Sequence, residues 1–242
     1  METSSPHEDE NKRVLYEASY EGCVFVLNTP IQEDPLILHK INSRAIFTET
    51  PLHISALLGR LEFTKLPLTH KPKLALEFDS FQSTALHLAS AEGHVHIVKE
   101  LLQARDHACL IPDQRGRIPF HYAVIRGRTN IVFELISAKP ESLWILDKRK
   151  YVFHLPVMYS HLDILKALMD FDIEARMLLS LRDLDDNTTL DLAAMLKQVD
   201  IVRFLVLIPA IREAASVQNE TGFYRSQESL QKPSHATHVD EF

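Results

Sequence analysis

The 242-residue sequence contains little glycine, little cysteine and no long apolar run, and each shortage disfavours a class of protein. With only 6 glycines, it has no phosphate-binding loop of the G-x-x-x-x-G-K-S/T type. Its 2 cysteines, Cys23 and Cys109, are far apart in the chain, which is typical of reduced thiols rather than a disulfide framework. We therefore expect a cytoplasmic protein without a nucleotide-binding loop.

The apolar segments are too short to predict a membrane-spanning helix. The most apolar stretch, IVRFLVLIPAI at 201–211, contains Arg203 and Pro209 and falls short of the about 20 residues that a bilayer requires. The opening residues METSSPHEDENKR are acidic and lack the apolar region of a signal peptide. We expect no direct membrane insertion, and we expect residues 201–211 to cover the end of a core.

Charge and motifs argue against two further functions. The net charge of −7 disfavours a nucleic-acid partner, because contacts with phosphates require a basic face. No G-x-S-x-G nucleophile motif is present, and the acidic residues at 183–186 lack the spacing of a calcium loop. The sequence thus predicts neither an enzyme nor a cofactor site.

What the sequence does contain is a unit that recurs about every 34 residues. Its opening histidine position is occupied by His53, His87, His121, His154 and Asp191, at steps of 34, 34, 33 and 37 residues. A degenerate further unit, RVLYEASYEGCVFVL at 13–27, has Tyr16 there. The five clear copies are ETPLHISALLGRLEF (49–63), STALHLASAEGHVHIVKELLQ (83–103), RIPFHYAVIRGRTNIVFELI (117–136), YVFHLPVMYSHLDILKALM (151–169) and NTTLDLAAMLKQVDIVRFLV (187–206).

Each unit has the pattern of a helix, a turn and a return helix. Thr50 can cap the first helix, Pro51 suits its first turn, and Gly59 suits the left-handed link to the return helix. A period near 33 that opens with Thr-Pro-Leu-His is typical of ankyrin repeats. The sequence predicts an all-α ankyrin-repeat solenoid of about five to six units with short β-hairpin tips. We expect the array at 12–210, a disordered N-terminus at 1–11 and a flexible C-terminal tail at 211–242.

Some units depart from the pattern. Pro156 falls in a first helix and Pro67 in a return helix, where a proline removes an N–H donor and crowds the preceding turn. Ser160 and Gln198 stand where the linking glycine is expected. We expect the units that begin near Thr50 and Tyr151 to be irregular and less stable.

Two interpretations of the histidines are open. A residue type placed identically in successive units favours a structural role in stacking. The alternative is a metal site that uses His87, His94 and His96, and with it a metal-dependent enzyme. Residues two apart on a helix do not share a face, and zinc sites need three or four ligands in close array. We favour the structural interpretation and expect no metal.

The projecting tips between units are the candidate partner-binding surface. Neighbouring tips line one concave face of a solenoid, where a basic tip at 147–150 would lie beside an acidic one at 182–187. The alternative is that the tips are charged only for solubility. The candidate residues are Asp113, Gln114, Arg115, Arg117, Asp147, Lys148, Arg149, Lys150, Asp183, Asp185 and Asp186.

The sequence resembles the plant ankyrin-repeat membrane proteins, whose repeats precede a C-terminal four-helix membrane region named for a Pro-Gly-Gly motif. The resemblance covers about residues 13–208 and includes TETPLHISALLGRLEFTK, DHACLIPDQRGRIPFHYAVIRGRTNIVFELI and LLSLRDLDDNTTLDLAAMLKQVDIVRFLV. It implies protein–protein binding at the plasma membrane, in plant defence, stress or developmental signalling. The chain departs from the family at its end, where SQESLQKPSHATHVDEF stands instead of the membrane region.

Two functions therefore remain beside the metal-dependent enzyme. The first is a non-catalytic scaffold or adaptor that binds other proteins through the concave repeat surface. The second is a membrane-associated signalling subunit, a shortened isoform of the membrane ankyrin proteins, held peripherally at the plasma membrane by a partner.

Overall fold

A computed structural model of the protein describes residues 6–25, 49–145, 152–171, 178–209 and 211. The described residues form eleven α-helices and short 3-10 helices, with no β-strand among them. The α-helices are α1 (Pro6–Glu21), α2 (Pro51–Leu57), α3 (Leu61–His70), α4 (Ala85–Glu92), α5 (Val95–Ala104), α6 (Pro119–Ile125), α7 (Thr129–Ala138), α8 (His154–Met158), α9 (Leu162–Phe171), α10 (Thr189–Met195) and α11 (Val199–Val206). The 3-10 helices Pro72–Leu76, Asp106–Leu110 and Pro140–Trp144 follow α3, α5 and α7.

From α2 onward the helices form five pairs, each with a first helix and a return helix. The first helices pack against one another in chain order, and the return helices α3, α5, α7 and α9 do the same. One apolar core runs through the pairs from Leu52 to Ile211, and Phe120 and Phe153 are fully buried in it. The predicted all-α repeat solenoid is confirmed. The tips, predicted as short β-hairpins, are tight turns without strands in the part of the chain described.

Helix α1 takes the place of a first helix before α2, and its Tyr16 side chain is buried against the neighbouring unit. The helix begins at Pro6, so residues 6–11 are helical where the sequence predicted disorder. An ion pair of 3.2 Å between Arg13 and Glu10 contributes to this helical extension. Residues 1–5 and most of the predicted tail, 212–242, lie outside the described residues.

The linking residue between paired helices has a left-handed backbone in every unit. The φ angle is +75° at Gly59 and +71° at Gly127, and the non-glycine residues Ser160 and Lys197 keep φ values of 60° and 58°. The residue that replaces glycine in the last unit is therefore Lys197, not Gln198 as the sequence comparison suggested. Lys197 lies six residues after Asp191, the same interval that separates Gly59 from its unit's histidine.

Helix α8 shows how the array accommodates Pro156. The other paired first helices begin two residues before the histidine position, whereas α8 begins at His154 itself. A helix that began at Val152 would need the residue 156 N–H for its second hydrogen bond, to the Val152 carbonyl, and proline has none. Starting at His154 puts Pro156 in the first turn, where N–H groups have no helical partner. The irregularity is a shortened helix rather than a broken one.

Pro67 lies inside α3 at a position that is leucine in the other return helices: Leu101, Leu135, Leu168 and Leu205. Its side chain is buried, so the packing is kept while one helical hydrogen bond is lost.

We predict that Pro67→Leu stabilises the array by about 1–3 kcal/mol, because it restores the α3 hydrogen bond and keeps an apolar side chain in the core. Urea unfolding followed by circular dichroism measures the change. The reciprocal variant Leu101→Pro is the control and should destabilise the protein by about 3 kcal/mol or more. A Pro67→Leu midpoint at or below that of the wild type would contradict the prediction.

Candidate interaction surface

The histidine position links each unit to the next one. Its side chain donates a hydrogen bond to a main-chain carbonyl further along the chain, and we call these contacts the forward bonds. Four acceptors are the first residue of the following unit, whereas the acceptor of His121 is Ile145, directly after the 3-10 helix Pro140–Trp144. Tyr16 makes the same contact through its hydroxyl, which supports its assignment to a degenerate unit. The donor–acceptor pairs are Tyr16 and Glu49 (2.9 Å), His53 and Ser83 (2.9 Å), His87 and Arg117 (3.0 Å), His121 and Ile145 (3.0 Å), and His154 and Asn187 (3.0 Å).

The forward bonds fix the protonation of the imidazoles. A carbonyl only accepts, so Nε2 of His87 carries the proton, and its Nδ1 accepts from the main-chain N–H of Thr84 at 3.0 Å. Burial lowers the pKa of His87 to about 4, although the Arg117 carbonyl and two nearby aspartates oppose the shift. Burial lowers the pKa of His53 as well. These rings are neutral structural groups at physiological pH.

A second set of contacts runs in the opposite direction, and sequence reasoning missed it. The residue after each link donates to a carbonyl near the end of the preceding first helix, and we call these contacts the backward bonds. They satisfy acceptors that a helix end leaves without partners. The pairs are Arg60 and Tyr20 (2.8 Å), His94 and Leu57 (3.0 Å), Arg128 and Ala91 (3.2 Å), His161 and Ile125 (3.2 Å), and Gln198 and Val157 (2.7 Å).

The backward bonds explain why glycine occupies the links, and they bear on the hypothesis that His94 binds a metal. A Cβ added to Gly59 would lie 2.7 Å from the His94 ring. This linking residue must therefore lack a side chain for the ring to reach the Leu57 carbonyl. His94 is therefore a bridge between units, while His96 is exposed. No group of three or more His, Cys, Asp or Glu side chains in the described ranges is arranged to hold a metal ion.

A recurring aspartate builds the tips. The Asp113 carboxylate accepts from the main-chain N–H groups of Arg115 and Arg117, both at 2.8 Å, and from the Tyr122 hydroxyl at 2.5 Å. Burial opposes its ionisation, but these donors outweigh burial and hold the pKa of Asp113 below its ordinary value. Asp183 accepts two N–H groups of its own tip in the same way.

The predicted tip residues therefore fall into different groups. Asp113 and Asp183 are buried and hold the turns, and Asp113 also lines the cavity described below. The Arg117 carbonyl receives a forward bond, and its side chain is half-buried. Gln114, Arg115, Asp185 and Asp186 are exposed. The predicted basic tip of Asp147, Lys148, Arg149 and Lys150 lies outside the described residues.

Between two neighbouring tips and the first helices lies a cavity of about 290 Å³, which we call the tip groove. Its apolar wall consists of Leu57, Phe81, Leu88, Ala91 and Tyr122. Phe81, at the tip, leaves 60% of its surface exposed beside this wall.

The tip groove has charged residues at its rim and a fixed frame. Glu49 and Arg115 contribute opposite charges to its lining, which also includes the turn aspartates Asp79 and Asp113. The Gln114 N–H donates to the Phe81 carbonyl at 3.0 Å and ties the two tips together. The Tyr122 ring packs edge-on against the His87 ring, with centroids 5.9 Å apart. The arrangement offers an apolar slot with polar edges, which suits the binding of a protein segment.

The geometry defines a helical repeat protein, and comparison with known families identifies which one. The model for ankyrin repeats (3 copies) matches residues 15–113, 69–143 and 120–214, which together span most of the chain. The chain belongs to the ankyrin-repeat family, whose members are generally non-enzymatic and mediate protein–protein interactions. A search of curated proteins found no matching relative. Among the described residues, no helix combines the length and apolar character needed to span a bilayer.

We predict that acidification destabilises the array through its buried histidines. Between pH 6.5 and 4 an unfolded imidazole takes up a proton while folded His87 does not, so the folded state binds fewer protons. The free energy of unfolding is then highest above pH 6.5 and falls with the pH, by roughly 3 kcal/mol from His87 over the interval.

Urea unfolding at several pH values tests this prediction. The control is His87→Gln, whose amide can still donate to the Arg117 carbonyl but does not titrate in this range. Its stability should depend less on pH than that of the wild type. Equal pH dependence of the two proteins would contradict the assignment.

Proposed function

We propose that the protein is a non-catalytic scaffold that binds an extended segment of a partner protein in the tip groove. The observation that carries the proposal is the exposed Phe81 side chain beside an apolar slot framed by two fixed tips. Tight interfaces are dominated by a few buried aromatic or apolar anchors, with polar residues around them. The partner would place an apolar side chain in the slot and polar groups against Glu49 and Arg115.

The tips support this function because their shape is set before any partner arrives. The Asp113 and Asp79 carboxylates each accept two main-chain N–H groups of their own turns. A preformed surface loses little conformational freedom on binding, so more of the contact energy contributes to affinity. Gln114 and Arg115 then set specificity at the rim, together with the predicted tips at 147–150 and 182–187.

We place this scaffold in plant defence, stress or developmental signalling, as the resemblance to plant ankyrin-repeat membrane proteins implies. The interaction module is the array at 12–210, with proteins rather than nucleic acids as its partners. The two separate thiols support a cytoplasmic location, and Cys109 is buried with its pKa raised to about 11 by burial. A partner-held position at the plasma membrane is the alternative location.

We predict that Phe81→Ser weakens binding of peptides selected on the wild-type protein by at least about tenfold, because loss of an aromatic anchor typically costs 2 kcal/mol or more. Peptides from a random display library are selected on the wild type, and their affinities for the variant are measured by fluorescence anisotropy. The variant should melt like the wild type, since the side chain lies outside the core.

The matched control is Phe133→Ser, which removes the same ring from an exposed position on the return helix α7. It should bind the selected peptides as the wild type does. Peptides that bind wild type and Phe81→Ser equally well would show that the tip groove is not the binding surface.

A further inference from the structure

Three return helices end in a basic residue whose charge is neutralised in one unit and not in another. Lys71, Arg105 and Lys139 occupy the C-caps of α3, α5 and α7, spaced 34 residues apart. A cation at this position interacts favourably with the negative end of the helix dipole. In the α7 unit the Lys139 ammonium also lies 2.8 Å from a carboxylate oxygen of Asp106 in the preceding unit.

The corresponding ion pair is missing one unit earlier. The residue equivalent to Asp106 in the preceding unit is Pro72, which has no charge to offer Arg105. Among the described residues Arg105 forms no ion pair, and its side chain is exposed. Asp106 thus neutralises Lys139, whereas the residue at the equivalent position for Arg105 is proline and cannot neutralise it.

Arg105 lines an open cavity of about 680 Å³ between the 3-10 helices Pro72–Leu76 and Asp106–Leu110. Its lining residues, which we call the basic groove, are Lys73, Leu76, Glu77, Phe78, Arg105 and His107. Lys73 and Arg105 are both exposed, and Phe78 leaves 48% of its surface exposed beside them. Glu77 is the one acid in the lining, and its main chain forms a hydrogen bond with His53.

We propose that the basic groove binds an acidic segment of a partner protein, with carboxylates against Arg105 and Lys73 and an apolar side chain against Phe78. The charges complement such a segment, and the guanidinium can bind a carboxylate through two parallel hydrogen bonds. A nucleic acid fits less well, because the chain carries a net charge of −7 and places Glu77 in the same groove. This surface is separate from the tip groove and does not depend on the function proposed for it.

The test uses a short fluorescein-labelled peptide of aspartate and glutamate residues around a central phenylalanine, titrated with the full-length protein at low salt. Arg105→Glu should weaken binding at least about tenfold, and added salt should weaken wild-type binding. Pro72→Asp should weaken it as well, because the new carboxylate would occupy Arg105 as Asp106 occupies Lys139. Thermal melts confirm that both variants are folded.

The controls separate this groove from general charge effects and from the tip groove. Arg126→Glu makes the same charge change at an exposed position outside both grooves, and Phe81→Ser alters the tip groove. Both should bind the acidic peptide within about twofold of the wild type. The proposal is overturned by unchanged binding to Arg105→Glu, by an equal loss in Arg126→Glu, or by equal binding of a peptide with asparagine and glutamine in place of the acids. Single-stranded DNA that displaces the peptide with higher affinity would also overturn it.

Discussion

The whole array depends on hydrogen bonds between units that are made by buried neutral side chains. Each forward bond removes an imidazole or phenol from water and joins it to a main-chain carbonyl 24 to 33 residues further along the chain. A buried donor without its acceptor is costly, so these contacts define one register between neighbours. The core contributes the larger driving force through burial of apolar surface, but apolar contacts alone are less directional. The forward bonds make the stack specific.

The sequence predicted the parts of the fold that repeat. The recurring histidines, the linking glycines and the apolar return helices each appear several times, so a single irregular unit did not obscure them. The forward bonds of His53 and His87 agree with the structural interpretation. Tyr16 also keeps its role, because the contact requires only a donor at the right distance.

The sequence did not predict contacts made by residue types that differ from unit to unit. Arginine, histidine and glutamine all make backward bonds, because each can extend an N–H donor to the same carbonyl. A pattern of identical letters does not reveal such an equivalence. The bonds from Asp113 to its turn were hidden for a related reason: the sequence shows its position in a charged tip but not its contacts. The start of α1 also escaped prediction, because its first residues are polar.

The surfaces available for binding are set by the residues that the fold leaves free. In the tips, the aspartates are used by the turns, and Phe81 and Arg115 project outward. Along the ends of the return helices, Asp106 neutralises Lys139, whereas proline at the equivalent earlier position leaves Arg105 exposed. Units with one backbone plan thus acquire different surfaces through a few substitutions that the core does not constrain.

The opposed forward and backward bonds have an evolutionary consequence. The segment 83–116 accepts a forward bond from the preceding unit at Ser83 and donates one to the following unit from His87. It also donates a backward bond from His94 and accepts one at Ala91. Both of its boundaries therefore carry the same complementary groups. Duplication or deletion of this whole segment would leave the same forward and backward bonds at each boundary. Units could thus be gained or lost in evolution without a new type of contact between neighbours.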